Sequence, residues 1–459
     1  MDESRTRMGT QPVLPLLASM AVPMMLSMLV QSLYNIVDSI YVARLGTDAL
    51  TAVSLAYPLQ NIVLSAAVGM GVGVSSVLSI SLGEGDRERA NETATLGMAL
   101  TAVHCVLFVV LGLVVTRPFL RLFTQDEAVL AQACDYTYVV LCWSFGCLMQ
   151  IGMEKIYQGL GEMKVTMVLL ASGCVINIVL DPILIFGLLG FPAMGVKGAA
   201  IATVAGQIAA FFLYVIVYCV KNPGVTIHPR YLRPNLRLVR RIYSIGIPST
   251  LMLTMPSLLI GALNAILAEL SDVYVAVLGV YYKLQTFIYM PANGIVQGMR
   301  PLISYNYGAG KDGRVRSIIR YSLAGTVIIM LAGTAVSLAA PGWLLHLFDA
   351  DAQLMDAGCT ALRLISLGFL ASSVGVVFSG VFEALGKGVQ SLAVSLLRQL
   401  AVTVPLGWAL SRLWGAAGIW TAFPLAEAVA AAAAAAMLWH MEGGRYFPGG
   451  KSERVFPAS

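Results

Sequence analysis

Across 459 residues the chain is 58% hydrophobic and 12% charged, with a mean hydropathy of +0.80. Soluble domains carry about a quarter charged residues, so half that density cannot clothe a soluble surface of this size. The seven cysteines and four histidines are scattered, without the spacing of a metal centre, a disulfide scaffold or a redox motif. Apolar blocks recur from Val13 to Trp439, most of them near the ~20 residues a helix needs to cross a hydrocarbon core. The expected class is an all-α integral membrane protein.

The polar start MDESRTRMGTQP leads into an apolar block with no small-residue cleavage site, read here as a retained first span at 14–40 rather than a signal peptide. In it, QSLYNIVDSIYVARLG sets Gln31, Tyr34 and Asp38 three and four residues apart on one helical face. Asn35, three before Asp38, can join that face. Spans 2 and 3 are placed at 50–80 and 94–116. GMGVG (69–73) lacks the lysine of a phosphate loop and suits close helix packing instead. Span 4, 134–158, ends near Glu154 and Lys155; the lysine is expected to snorkel and Glu154 to face a substrate cavity. Span 5, 165–189, contains NIVLDPILIFG, where Asn177 and Asp181 share a face. Pro182 removes a backbone donor there, which predicts a bend beside the carboxylate. Span 6 covers 196–219, and a basic, proline-rich linker fills 221–241. Six more spans follow at 243–268, 275–303, 318–340, 359–382, 388–411 and 416–438. Lys283, Arg300, Arg363, Glu383 and Arg398 in this half read as interhelical pairs and snorkelling groups. AEAVAAAAAAAML (426–438) reads as an apolar helix, closely packed or embedded in lipid.

Two features organise these spans. Tyr57, Gln60, Gly69, Gly73, Ser79 and Gly83 recur as Tyr282, Gln285, Gly294, Gly298, Ser304 and Gly308 at a constant offset of 225. The same offset pairs Pro23 with Pro248 and Leu160-Gly161 with Leu385-Gly386. Six spans per half make parallel repeats, an amino-terminal lobe at 1–220 and a carboxyl-terminal lobe at 242–459, pseudo-symmetric around a central cleft. With both termini cytoplasmic, 19 Lys and Arg fall on the inside and five on the outside. That excess fixes the orientation by the positive-inside rule and explains the +5 net charge without a nucleic-acid partner.

A charge near the bilayer centre costs about 2.5–3.5 kcal/mol on insertion scales, so such residues are functional by default. Asp38 and Asp181 lie on two helices of one lobe, each with an amide neighbour. A carboxylate pair in an apolar surround is suited to holding a proton. Carboxylate, amide and carbonyl oxygens suit a hard cation such as Na+ equally well. The offset carries Asp38 and Asp181 onto Leu263 and Leu406, so this chemistry is expected only in the amino-terminal lobe.

VDSIYVARLGTDAL (37–50), YQGLGEMKVTM (157–167), NIVLDPILIFG (177–187), GVKGAAIAT (195–203), QGMRPLISYNYGAGK (297–311) and FEALGKGVQSLAVSLLRQ (382–399) together resemble the multidrug and toxic compound extrusion (MATE) family, bacterial drug-exporter branch. The resemblance implies a twelve-helix, two-lobe antiporter, not an enzyme. It would export amphipathic, often cationic small molecules in exchange for H+ or Na+, without a cofactor, as a monomer in the bacterial inner membrane. It assigns ion coupling to Asp38, Asn177, Asp181 and Thr203, and the substrate cavity to Gln31 and Tyr34, with Asn35 and Glu154 added from the residue reading. The acids that some relatives carry in spans 7 and 10 have no counterpart; Asn264 and Glu383 stand nearest. The alternative is a flippase for a lipid-linked precursor, for which Arg300, Arg363 and Arg398 would have to line a cationic cleft.

Overall fold

The computed structural model describes residues 3–348 and 351–446. Lys451 and Arg454, counted above among the inside cations, lie outside them, as does the side chain of Arg5.

A bilayer offers the backbone no hydrogen-bond partners, so apolar spans must satisfy their own N–H and C=O groups as helices. Helices α1 (Glu3–Thr10), α2 (Val13–Ala43), α3 (Thr47–Gly83), α4 (Arg87–Leu120), α5 (Glu127–Cys142), α6 (Phe145–Gly159), α7 (Met163–Phe186) and α8 (Gly195–Lys221) form the first half. The second half has α9 (Leu236–Ala268), α10 (Asp272–Gly308), α11 (Asp312–Ala339), α12 (Pro341–His346), α13 (Ala352–Ser366), α14 (Phe369–Ala384), α15 (Gly388–Leu396), a π turn at Leu397–Ala401, α16 (Thr403–Trp414) and α17 (Ala416–Glu442). No strand occurs among the described residues. Ten spans are single long apolar stretches, and the two bent pairs α5–α6 (43°) and α13–α14 (54°) complete twelve. The bends sit at spans 4 and 10, equivalent positions of the repeat. Pro182 stands inside α7, which continues unbroken to Phe186; its ring still denies Ile178 O the usual donor.

The chain forms two compact units whose boundaries differ from the expected lobes in two segments. One unit runs from Leu26 to Thr250, so it includes the linker and the start of α9; the other takes Arg7–Met25 together with the chain from Leu251 on. Within the first, a Cβ on Gly73 would lie 2.4 Å from Ile242 O of α9; within the second, one on Gly298 would lie 2.7 Å from Ala21 N of α2. These two glycines are the repeat-related pair read from sequence, and each lets a long helix receive a foreign half-helix at backbone contact.

The repeat extends to single hydrogen bonds. Ser79 Oγ donates to Gly159 O at 2.7 Å, and Ser304 Oγ donates to Ala384 O at 2.7 Å. Each ties the second span of a half to the end of its fourth. The turn that follows is also duplicated: Gly161 and Gly386 adopt φ of 79° and 78°, and the next residue's N–H reaches five positions back to Tyr157 O and Phe382 O, a glycine-dependent helix stop. Both serines are fully buried. Ser79→Ala and Ser304→Ala should therefore each lower unfolding free energy by about 1–2 kcal/mol, since a buried carbonyl at a helix end loses its hydroxyl donor; thermal denaturation of the purified variants checks this.

Unforeseen from sequence is the fate of Lys155. It is buried rather than snorkelling: Nζ donates to Gln158 Oε1 at 2.9 Å and stands 3.7 Å from Glu154 Oε1. Its stem lies over Gly71, which leaves it no path outward.

Candidate ion-coupling site

The site is assembled inside the first unit by α2, α3, α5, α7 and α8. On α7 the four-residue spacing places Asn177 and Asp181 on one face, 2% and 0% exposed. α8 contributes Thr203, 3% exposed, whose Oγ1 accepts from Asn177 Nδ2 at 3.3 Å. From α2, Asp38 brings its carboxyl within hydrogen-bonding reach of Asp181, and Tyr34 reaches Thr203 with its hydroxyl. Tyr136 of α5 lies close to both acids and donates to Gln60 Oε1 of α3 at 3.2 Å.

The electrostatics are unusual in one respect. Both Asp181 oxygens, Asp38 Oδ1 and Asn177 Oδ1 are buried without an N–H or O–H donor. No Lys or Arg forms an ion pair with either acid among the described residues. Two acceptor-only carboxylates within reach of each other, one buried and one partly buried, repel strongly in a low dielectric when no cation is present. The arrangement relaxes only if a positive species, a proton or a metal cation, lies between them. Asn177 spends an amide N–H on Thr203 and leaves its oxygen without a donor.

Of the sequence-predicted residues, the structure brings together Tyr34, Asp38, Asn177, Asp181 and Thr203. Gln31 and Asn35 lie on exposed parts of α2 and do not join this polar cluster. Glu154 is buried elsewhere, accepting from Gln158 Nε2 at 2.7 Å beside Lys155. Tyr136 was missed by sequence reasoning; its signal is only a tyrosine at a period that a core position would share. Arg300 and Arg398 each stand against a glutamate, Glu383 at 2.5 Å and Glu427 at 3.8 Å, as interhelical pairing predicts. The alanine tract of α17 packs through Ala426, Ala430 and Ala434, and Glu427 within it is a charge that the apolar reading overlooked.

Similarity to known proteins agrees with this geometry. A chain-long likeness exists to the multidrug export protein MepA of Staphylococcus haemolyticus strain JCSC1435, 25% identical over 90% of each chain. MepA of Staphylococcus aureus strain NCTC 8325 is 26% identical over 94% of this chain and 95% of its own. Among solved structures, an outward-facing multidrug resistance MATE family transporter of the MOP superfamily superposes with a TM-score of 0.86 at 26% identity, covering 95% of this chain and 99% of the other. The family model MatE matches twice, over 23–183 and 248–409, the two copies separated by the offset that the sequence itself repeats. The chain belongs to the MatE family and is a MATE transporter.

Proposed function

We propose that this transporter is a secondary antiporter that exports amphipathic, often cationic compounds, and that H+ or Na+ entering at Asp38 and Asp181 drives each cycle. The supporting observation is the donor-free approach of the partly buried Asp38 carboxylate to the buried Asp181. Such a pair has a large differential affinity for a cation between any state that holds the acids together and one that parts them. An ion can shift a conformational equilibrium only by that differential affinity. The relatives named as multidrug exporters supply the cargo class. The inner membrane of a bacterium, inward termini and a single working copy complete the reading.

A proton is the smaller demand on the geometry, since it needs only the two acids. Sodium has a specific argument of its own: Asp38, Asp181, the unpaired Asn177 Oδ1 and Thr203 Oγ1 offer an all-oxygen set of the kind hard cations take. The flippase alternative finds no support, because two of its three arginines are already opposed by glutamates.

Vesicles reconstituted with purified protein and loaded with ethidium decide the ion. Efflux driven by a pH gradient in sodium-free medium assigns the proton; efflux requiring a sodium gradient at equal pH assigns the metal. In the sodium case Thr203→Val should raise the sodium concentration for half-maximal efflux by roughly tenfold, the loss of one ligand worth about 1.4 kcal/mol. In the proton case the same variant should leave the driven rate within about twofold of wild type. No ion-driven efflux under either gradient would overturn the antiport reading.

A further inference from the structure

The second unit holds a buried polar cluster that the coupling site does not use. Glu427 projects from α17, its side chain 14% exposed, and Arg398 from the π turn Leu397–Ala401, 22% exposed. In that turn Val402 N–H donates to Leu397 O, five residues back, at 3.1 Å. Its repeat counterpart α7 is a continuous α-helix, so the interruption belongs to this half alone. π turns within α-helices concentrate at functional sites.

The ion pair is loose. Arg398 Nε and Glu427 Oε1 are 3.8 Å apart, against about 2.7–2.9 Å for a well-made charge-assisted hydrogen bond. Glu427 Oε2 is buried with no hydrogen-bond partner, and so is Tyr282 Oη. A buried pair kept for stability has to offset the desolvation of two charges by tight, multiple contacts; this one makes a single long contact. Its neighbourhood is aromatic. Tyr281, Tyr282 and Tyr289 lie within electrostatic reach of Arg398 and Glu427. Tyr281 packs edge-on against Tyr282 and Phe423, with centroids 5.2 and 5.6 Å apart, and Tyr289 against Phe369 at 5.7 Å. Gly375 of α14 lies against the pair: a Cβ there would sit 3.9 Å from Arg398 Cδ and 4.0 Å from Glu427 Oε2, with no other atom nearer. A carboxylate oxygen lacking a donor, with three tyrosines nearby whose rings can attract positive charge, has the recognition chemistry of an organic cation with an N–H group.

We propose that Glu427, Tyr282 and Tyr289 form a second binding site, internal to this unit, for an aromatic cation that carries an N–H donor. Arg398 is its tethered stand-in, neutralising Glu427 when cargo is absent and yielding it when cargo arrives. The proposal rests on the exporter reading for its cargo class, but not on Asp38 or Asp181. It assigns the two charges opposite effects on affinity, which a purely structural ion pair would not produce.

Ethidium fluorescence titrations of the full-length protein in detergent test it. Glu427→Gln should weaken ethidium binding at least tenfold, while Arg398→Met, which keeps the apolar stem and removes the competitor, should tighten it about threefold. Gly375→Ala touches neither charge and should weaken binding several-fold by adding a methyl group beside Oε2; it decides the matter if either charge variant fails to fold. Affinities within twofold of wild type in Glu427→Gln or Gly375→Ala, equal weakening by both charge variants, or no ethidium binding by the wild type would each overturn the site. Ion-driven efflux by wild type alongside unchanged affinities in the variants would sink this inference and leave the exporter reading standing. Glu427-dependent binding without ion-driven efflux would do the reverse.

Discussion

Vesicles carrying Asp38→Asn protein should extrude ethidium no faster than protein-free vesicles under either ion gradient, a loss of at least a hundredfold, with no fall in melting temperature. The two halves of this expectation have one cause. Asparagine keeps the shape of aspartate and adds an amide donor, so it can satisfy an Asp181 oxygen that has none. The like-charge contact disappears and the fold gains. The proton or sodium ion loses one of its two carboxylates and with it the differential affinity that moves the equilibrium. A hundredfold loss corresponds to about 2.7 kcal/mol, well within what one buried charge can supply. Function at the expense of local stability is the usual mark of a site of this kind. Efflux close to wild type from Asp38→Asn vesicles would remove the acid pair from the mechanism. A marked drop in melting temperature would instead make Asp38 a structural residue.

How much of this was legible beforehand follows from the range over which each signal acts. Span positions and the repeat were readable, because apolar length and the offset of 225 are properties of the chain itself. Asp38 and Asp181 stood out because an ionisable group in an apolar span is rare whatever surrounds it, and Asn177 because it shares a helical face with Asp181. Thr203 came only through the family's motif, since a threonine in a helix carries no local signature. Tyr136 and Gln60 were beyond reach: each looks like an ordinary helical residue until α3 and α5 meet α2. Gln31 and Asn35, expected at the substrate cavity, satisfy helical spacing to Asp38 but lie exposed on α2 outside the acid cluster; Gln31 is about two turns, ~10 Å, away along the axis. Lys155 was misjudged because snorkelling presumes open space outward, and Gly71 provides a groove inward instead. Glu427 was lost inside an alanine run whose composition outweighed its one charge.

The largest stability effect is expected at Gly418, and its logic also uses the repeat. A Cβ on Gly418 of α17 would lie 2.2 Å from Leu410 O and 2.4 Å from Leu410 C; one on Gly198 of α8 would lie 2.5 Å from Leu184 O and 2.7 Å from Leu184 C. Both glycines open the last helix of their half, and both press on a carbonyl near the end of the helix before it. The obstacle is backbone on either side, so no rotamer change can clear it, and α17 would have to shift as a body against α16. Overpacking of this kind costs about 1–3 kcal/mol or more. Gly418→Ala should therefore lower the melting temperature by roughly 5 °C or more, and Gly198→Ala should do likewise while also loosening Thr203, five residues along the same helix, from Asn177. Gly261→Ala is the matched control. It lies mid-helix in α9 with nothing within 4 Å of its added carbon, where alanine is favoured over glycine by about 1 kcal/mol. If Gly418→Ala melted with Gly261→Ala rather than well below it, the close crossing of α16 and α17 would not be a constraint on this fold.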